Sequence, residues 1–163
     1  MKNLFEVTGK VVVVTGATGI LAGGTAKYLQ EQGAKVVYVG RNQKKVDAVM
    51  EEARKISDHC LGVTTDVLDE DGLNAGYEKV INQFGRVDAL INGAGGNMPG
   101  ATIGPDKEIF DLDIEDYSRV MDLNLKGSVL PTLTFAKAFK EQGNGSVINF
   151  SSMSSGQALT RVL

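Results

Sequence analysis

Two hydrophobic periods alternate along the chain. Short apolar runs at Val11–Thr15, Lys35–Val39, Cys60–Thr65, Val87–Asn92 and Ser146–Phe150 are rich in valine, isoleucine and other branched side chains, and they predict strands buried on both faces. Between them the period lengthens to that of a helix. Residues 20–32 form the first, with Leu21, Ala22, Tyr28 and Leu29 as candidate core contacts and Gly33 as its C-terminal stop. The second runs from Gln43 to Ile56, where Val46, Val49, Met50, Ala53 and Ile56 recur at helical spacing, and Lys44, Lys45, Glu51, Glu52 and Arg54 make a solvated face. Asp69 caps the third, which carries Leu73, Tyr77, Val80, Ile81 and Phe84 and ends at Gly85. Asp113 caps a long helix reaching about Glu141, with Leu123, Leu125, Leu130, Leu133, Phe135 and Phe139 as apolar points; Gly127 and Pro131 predict a kink there. Residues 97–112, with Pro99, Gly100, Gly104 and Pro105, read as a long loop, a class that often serves function.

Alternating strands and helices predict an α/β fold: a doubly wound parallel sheet of the Rossmann type, with right-handed crossovers and helices on both faces. No linker or low-complexity tract divides residues 1–163, which read as one domain. Ligands of such sheets bind beyond the carboxyl ends of the strands. The turn Gly16–Gly23, the pair Gly40-Arg41, Asp66, the run Asn92–Gly95 and the pair Ser151-Ser152 all fall at those ends.

The first of these is the most informative. Gly16, Gly19 and Ala22 are spaced by three between a valine strand and an alanine-rich helix. Exposed backbone N–H groups and the positive end of a helix dipole converge there, which suits a phosphate. Gly16 permits the tight turn, Gly19 lets a pyrophosphate approach, and Ala22 with Gly23 lets helix and strand pack closely. The pattern predicts a dinucleotide site; a plain glycine turn without a ligand is the simpler alternative.

Composition narrows the partners. The net charge is −3 with no long basic run, so nothing electrostatic favours nucleic acid. There is no signal-like N-terminus and no apolar run of the ~18 residues a membrane span needs. Cys60 is the only cysteine, which excludes an intrachain disulfide and fits a reducing cytoplasm. His59 is the only histidine, and no metal-ligand cluster is visible.

Taken together, Thr15-Gly16-x-x-Gly19, Asp66-Val67, Asn92-Gly93-Ala94-Gly95, Asn124 in Asn-Leu-Lys-Gly127, and Ser151-Ser152 resemble the short-chain dehydrogenase/reductase family, in order and over essentially the whole chain. Ile20 and Ala22 stand where the family's commonest glycine pattern has its later glycines. The resemblance implies a nicotinamide cofactor, NAD or NADP, held by Gly16, Thr18, Gly19 and Ile20. Asp66 would bond the adenine amino group beside Val67, or it is simply a helix-start carboxylate. Asn92, Ala94 and Gly95 would line the cofactor ribose. Asn124 would hold a water in a proton relay at an irregular helical turn. Ser152 would bond the substrate oxygen, with Ser151 its alternative. Gly40 occupies the usual acidic place and Arg41 follows, which leans toward NADP; an arginine that merely faces solvent is the alternative. The long helix is the family's usual subunit contact, so a homo-oligomer is implied. Residues 96–110 with 151–157 resemble members acting as D-mannonate oxidoreductases (fructuronate reductases), which implies a sugar-acid substrate; Asn97, Lys107 and Gln157 are candidates to meet its hydroxyl or carboxylate groups, and side chains that merely face water are the alternative.

The family's proton donor is a tyrosine 13 residues after the serine, with a lysine four further on. Counted from Ser152, the tyrosine falls two residues past Leu163, and none of Tyr28, Tyr38, Tyr77 and Tyr117 begins a Tyr-x-x-x-Lys motif. The chain then reads as the N-terminal part of a longer enzyme, inactive as it stands. The alternative is a catalytically inactive dinucleotide-binding protein that senses redox state.

Overall fold

The computed structural model describes residues 5–152. Five strands, β1 (Val11–Thr15), β2 (Lys35–Gly40), β3 (Cys60–Thr64), β4 (Ala89–Asn92) and β5 (Ser146–Asn149), form one parallel sheet in the order β3-β2-β1-β4-β5. The order reverses at β1, so the chain winds outward to both sides of its first strand. That reversal opens a crevice above the carboxyl ends of β1 and β4.

The period-2 pattern of each strand decides which helix it meets. Val12, Val14, Val36 and Tyr38 point to one face, where they pack on α1 (Ile20–Glu31) and α2 (Gln43–Ile56). Val11, Val13, Val37, Val39, Val63 and Leu90 point to the other, against α3 (Glu70–Phe84) and α5 (Gly127–Gln142). Asn42 and Asp69 cap α2 and α3, as side-chain acceptors for Lys45 N–H and Gly72 N–H, and left-handed Gly85 ends α3. The Asp69 cap and the Gly85 stop are where the sequence placed them, and the Asn42 cap was not anticipated.

Four expected core contacts lie at the surface instead. Leu21 and Tyr28 are exposed because α1 turns Ala22, Ala26 and Gln30 inward, the last with its amide hydrogen-bonded to Ala53 O, Ser57 O and the Tyr38 hydroxyl. Leu125 and Leu133 are exposed because the following helix turns Gly127, Pro131, Thr134, Phe135 and Ala138 toward the sheet. Val87 precedes β4 rather than starting it: it is buried, with its N–H and C=O bonded by the Gln142 side chain.

The long helix begins at Asp113 as expected, whose carboxylate accepts from Glu115 N–H and Asp116 N–H. Its irregularity lies earlier than Gly127 and Pro131. After α4 (Ile114–Met121) the chain widens into a π turn, Asp122–Lys126, and α5 starts at Gly127. Gly127 serves packing: a Cβ there would lie 2.9 Å from Val67 Cγ2. The 97–112 connection holds two short 3₁₀ turns, Pro99–Ala101 and Ile109–Asp111, and hangs from α4 through Gly100 N–H to Asp116 Oδ2 (3.0 Å) and Asp113 N–H to Gly100 O (3.0 Å).

At the end of the sheet opposite the crevice, Asp88 ties the start of β1 to the turn before β4. It accepts from Val11 N–H (2.9 Å) and Lys10 Nζ (3.3 Å), and from Arg86 through both Nε (3.0 Å) and Nη2 (2.7 Å). Burial would raise its pKa, but the Val11 N–H and the Arg86 and Lys10 cations outweigh it and hold the carboxyl below the usual aspartate range. A depressed folded-state pKa contributes stability above the unfolded value and loses it as pH falls through the folded one. The acid limb of the stability curve should therefore flatten in Asp88→Asn, read by urea unfolding between neutral and strongly acidic pH; an unchanged limb would show that Asp88 does not set it.

Candidate cofactor site

The crevice above the sheet is a cavity of about 670 Å³. Every strand end but that of β5 lends it residues directly, and β5 reaches it through Phe150. Its walls include Gly16, Thr18, Gly19 and Ile20 from the first turn, Arg41 after β2, Asp66 and Val67 after β3, and Ala94 and Gly95 after β4. Nine residues singled out from separate stretches of sequence thus face one space.

The glycine turn is built against the β4 loop. Gly16 has φ +68°, and a Cβ there would lie 2.7 Å from Gly93 O and 2.8 Å from Ala94 N. Gly23 lies so close to the same turn that a Cβ would sit 2.8 Å from Ala17 O. Thr15, fully buried at the end of β1, locks the two loops together: its Oγ1 accepts from Gly93 N–H (3.1 Å) and Ala94 N–H (3.2 Å). Gly16 and Gly19 leave main chain open to the cavity at this turn, which fits a pyrophosphate.

Asn92 is a correction. Its side chain is 2% exposed and is not among the cavity walls. The amide turns toward α5 and β5, with Nδ2 near Ser128 O (3.2 Å), Thr132 Oγ1 (3.0 Å) and Asn149 Oδ1 (2.8 Å), while the backbone carbonyl accepts from Phe150 N–H. A strand's last residue alternates faces like the rest, and residue 92 faces the helix layer while Gly93 to Gly95 face the crevice.

Asn124 sits inside the π turn. Its Nδ2 donates to Gly96 O (2.7 Å) and Val120 O (2.8 Å), and its Oδ1 accepts from Gly96 N–H (3.2 Å). One side chain thus satisfies both backbone groups of Gly96 and fixes the β4 loop to the helix, and Ser128 Oγ donates to Asn124 O (3.1 Å). Ser151 and Ser152 follow β5 on the same rim. Asn97 spends its amide on its own loop, to Thr102 Oγ1 and Met98 N–H, and Gln157 lies outside the described residues.

No tyrosine lines the cavity among the described residues. Tyr38 is buried on the α1–α2 face with its hydroxyl donating to Gln30 Oε1 (2.7 Å); burial, with the Cys60 and Glu31 charges, pushes its pKa up to about 12. Asn42, Lys45, Thr65, Leu123 and Phe150 also line the cavity and were not anticipated. Lys45 reaches the cavity from the first turn of α2.

A family profile for short chain dehydrogenases matches residues 10–162. The chain belongs to that family. Among curated relatives, it is 35% identical over 165 residues to the uncharacterized oxidoreductase UxuB of Bacillus subtilis, covering 96% of this chain and 59% of the relative. It is 33% identical over 161 residues to the 2-dehydro-3-deoxy-D-gluconate 5-dehydrogenase of Dickeya dadantii, covering 98% and 60%. Among solved structures, a Haemophilus influenza protein provisionally named a D-mannonate oxidoreductase, with bound NAD, superposes with TM-score 0.88 at 33% identity over 96% of this chain and 60% of that one. Actinorhodin polyketide ketoreductase with NADPH superposes with TM-score 0.85 at 26% identity, over 94% and 57%. The chain therefore spans about three fifths of the length of these relatives. Short-chain dehydrogenases of this fold carry a nicotinamide cofactor in these neighbours, in both its forms. Among the described residues no group of His, Cys, Asp and Glu is placed to hold a metal, and no helix is long and apolar enough to cross a membrane.

Proposed function

We propose that the chain is the N-terminal, cofactor-binding part of a longer NAD(P)-dependent dehydrogenase that interconverts a secondary alcohol and its ketone on a sugar acid such as D-mannonate and D-fructuronate. One observation carries the cofactor half: a single cavity is lined by Asp66 and Arg41, by the glycine turn at Gly16 and Gly19, and by Gly95 and Phe150. Its two ends differ. Arg41, Asn42, Lys45, Thr65 and Asp66 make one end polar, while Leu21, Ala94, Gly95, Leu123 and Phe150 make the other apolar. An adenosine portion suits the first and a nicotinamide ring the second, with the pyrophosphate between them.

The nicotinamide, when bound, takes up or gives back the hydride. The chain's own residues supply binding and placement. Asp66 accepts from the adenine amino group, Val67 packs beside it, and the turn from Gly16 to Ile20, with Thr18, holds the pyrophosphate. Ala94 and Gly95 allow the ribose to approach, and Arg41 favours the form carrying a 2′-phosphate. Ser152 donates to the substrate oxygen, and Asn124 orders the turn at which a proton relay ends. The sugar-acid assignment rests on the likeness of residues 96–110 to the D-mannonate oxidoreductase group and on the Dickeya and Haemophilus relatives. Ile114, Met121, Leu125, Val129 and Leu133 lie exposed along α4, the π turn and α5, which favours contact with a second copy of the full-length protein; a strictly monomeric full-length protein in sedimentation would contradict that contact.

A turnover assay tests the reading. The full-length protein should oxidise D-mannonate, or reduce D-fructuronate, with a nicotinamide dinucleotide, and the 163-residue chain should not. Turnover by the short chain at a comparable rate would contradict the need for a tyrosine beyond it. Binding of the dinucleotide without turnover of any alcohol or ketone by the full-length protein would favour the redox-sensing alternative.

A further inference from the structure

We propose that Asn144 is a modification site at which the chain rearranges spontaneously: its side-chain amide is lost through a cyclic imide with Gly145, leaving an isoaspartyl or aspartyl residue in the turn that leads into β5. The turn lies at the end of the sheet away from the cavity, beside Asp88, and nothing in the cofactor reading depends on it.

An asparagine followed by glycine is the pair most open to this chemistry. No side chain on the second residue hinders its nitrogen, and its backbone turns freely. The sequence has two such pairs, Asn92-Gly93 and Asn144-Gly145, and the fold treats them oppositely. Asn92 is 2% exposed, with Nδ2 against Ser128 O, Thr132 Oγ1 and Asn149 Oδ1. Gly93 N–H, the group that ring closure needs, donates to Thr15 Oγ1 (3.1 Å). That pair is held shut. Asn144 and Gly145 are both exposed and lie outside helix and strand, between α5 and β5. Gly145 N–H makes no hydrogen bond among the described residues. The Asn144 amide is held by a single surface bond, from Nδ2 to Gln142 O (3.2 Å). Asp71-Gly72, which could close the same ring, is locked inside α3, with Gly72 N–H on Asp69 Oδ1 (3.1 Å).

The fold also imposes the glycine. A Cβ at position 145 would run into the ring of Phe139, which packs from α5 against the core. Packing thus requires the labile pair in a turn where the backbone is exposed.

The step balances without an oxidant. The Gly145 nitrogen bonds to Asn144 Cγ, and Nδ2 leaves as ammonia, taking up the proton that the nitrogen gave. Water then breaks either C–N bond of the ring. Cleavage at Cγ leaves aspartate. Cleavage at the main-chain carbonyl carbon leaves isoaspartate, whose chain runs through Cβ and Cγ and is one carbon longer. That carbon falls between two anchors that set β5 against β4. On one side the Gln142 side chain bonds both backbone groups of Val87, and on the other Ser146 N–H donates to Asp88 O (3.1 Å).

The test is ageing of the full-length protein in mildly alkaline buffer, native and in concentrated urea, with peptide mapping that separates asparagine, aspartate and isoaspartate at positions 92 and 144. In the native protein Asn144 should convert at least about tenfold faster than Asn92, which reacts only after local opening, and in urea the two rates should converge. Amide hydrogen exchange across Ser146–Asn149 should be faster in the aged native protein than in fresh Asn144→Asp, which carries the new charge without the extra carbon. An Asn144 that stays intact in the native protein while it converts in urea, or that converts no faster than Asn92, would overturn the modification site. Exchange no faster in the aged protein than in Asn144→Asp would overturn the effect on β5.

Discussion

Replacing Gly16 by alanine should abolish dinucleotide binding and destabilise the chain together. The left-handed backbone at φ +68° costs an L-residue about 1–2 kcal/mol by itself. The new methyl must also enter the space held by the Gly93 carbonyl and the Ala94 backbone, 2.7–2.8 Å away. Neither neighbour is a flexible side-chain tip; both are main chain pinned by Thr15. Relief therefore separates the two loops that form the cradle. We expect a loss of stability of about 3 kcal/mol in urea unfolding and a fall in dinucleotide affinity on the order of a hundredfold. Gly85→Ala is the matched control, because Gly85 is also left-handed, at φ +73°, with nothing within 4 Å of its Cβ. It should lose only the backbone term, about 1 kcal/mol, and bind as before. Equal behaviour of the two variants would show that the contact with residues 93–94 is not what matters.

Asn124→Leu is the second substitution with a large expected effect. It keeps the volume and removes three hydrogen bonds, of which two satisfy Gly96. The π turn Asp122–Lys126 and the β4 loop share this one side chain, so both should loosen. Unfolding should shift by about 1–3 kcal/mol, the range for leaving backbone polar groups unpaired. In the full-length protein kcat should fall by about a hundredfold, as expected when a proton-transfer path is disordered, with a much smaller change in cofactor Kd. A fall in kcat no larger than the loss of folded protein would reduce Asn124 to a purely structural tie. Asn124→Asp separates the possibilities further, since a carboxylate can accept from Gly96 N–H but cannot donate to Gly96 O or Val120 O.

How far the sequence led can be judged residue by residue. Strand and helix placement was legible because β1 and β2 are nearly unbroken branched apolar runs, α2 has an apolar face at helical spacing and α3 carries its Asp69 cap. The cradle was legible because glycine at positions 16, 19 and 23 has few other uses between a buried strand and a helix. Periodicity failed where a helix has two apolar stripes: on α5 it could not choose between Leu133 and Phe135, and only packing against Val11 and Val13 buries the second. Asn92 was placed by the family resemblance, whereas the alternation that turns Leu90 toward the α3 and α5 layer turns Asn92 the same way. The irregular turn at Asn124 was expected from the family resemblance, while the local sequence, through Gly127 and Pro131, pointed to a kink further along. Lys45 was passed over as one charge on a solvated face, and the turn between β2 and α2 brings it to the cavity.

The most direct measurement of the central claim is an amide chemical-shift titration of the 163-residue chain with NADP⁺. If the strand-end cavity holds the dinucleotide, amides of Gly16, Gly19, Ile20, Arg41, Val67 and Gly95 move together along one binding curve, while those around Asp88 at the opposite end of the sheet stay still. Shifts confined to the Asp88 end or to the exposed stripe of α5, or none at all from a folded chain, would contradict it.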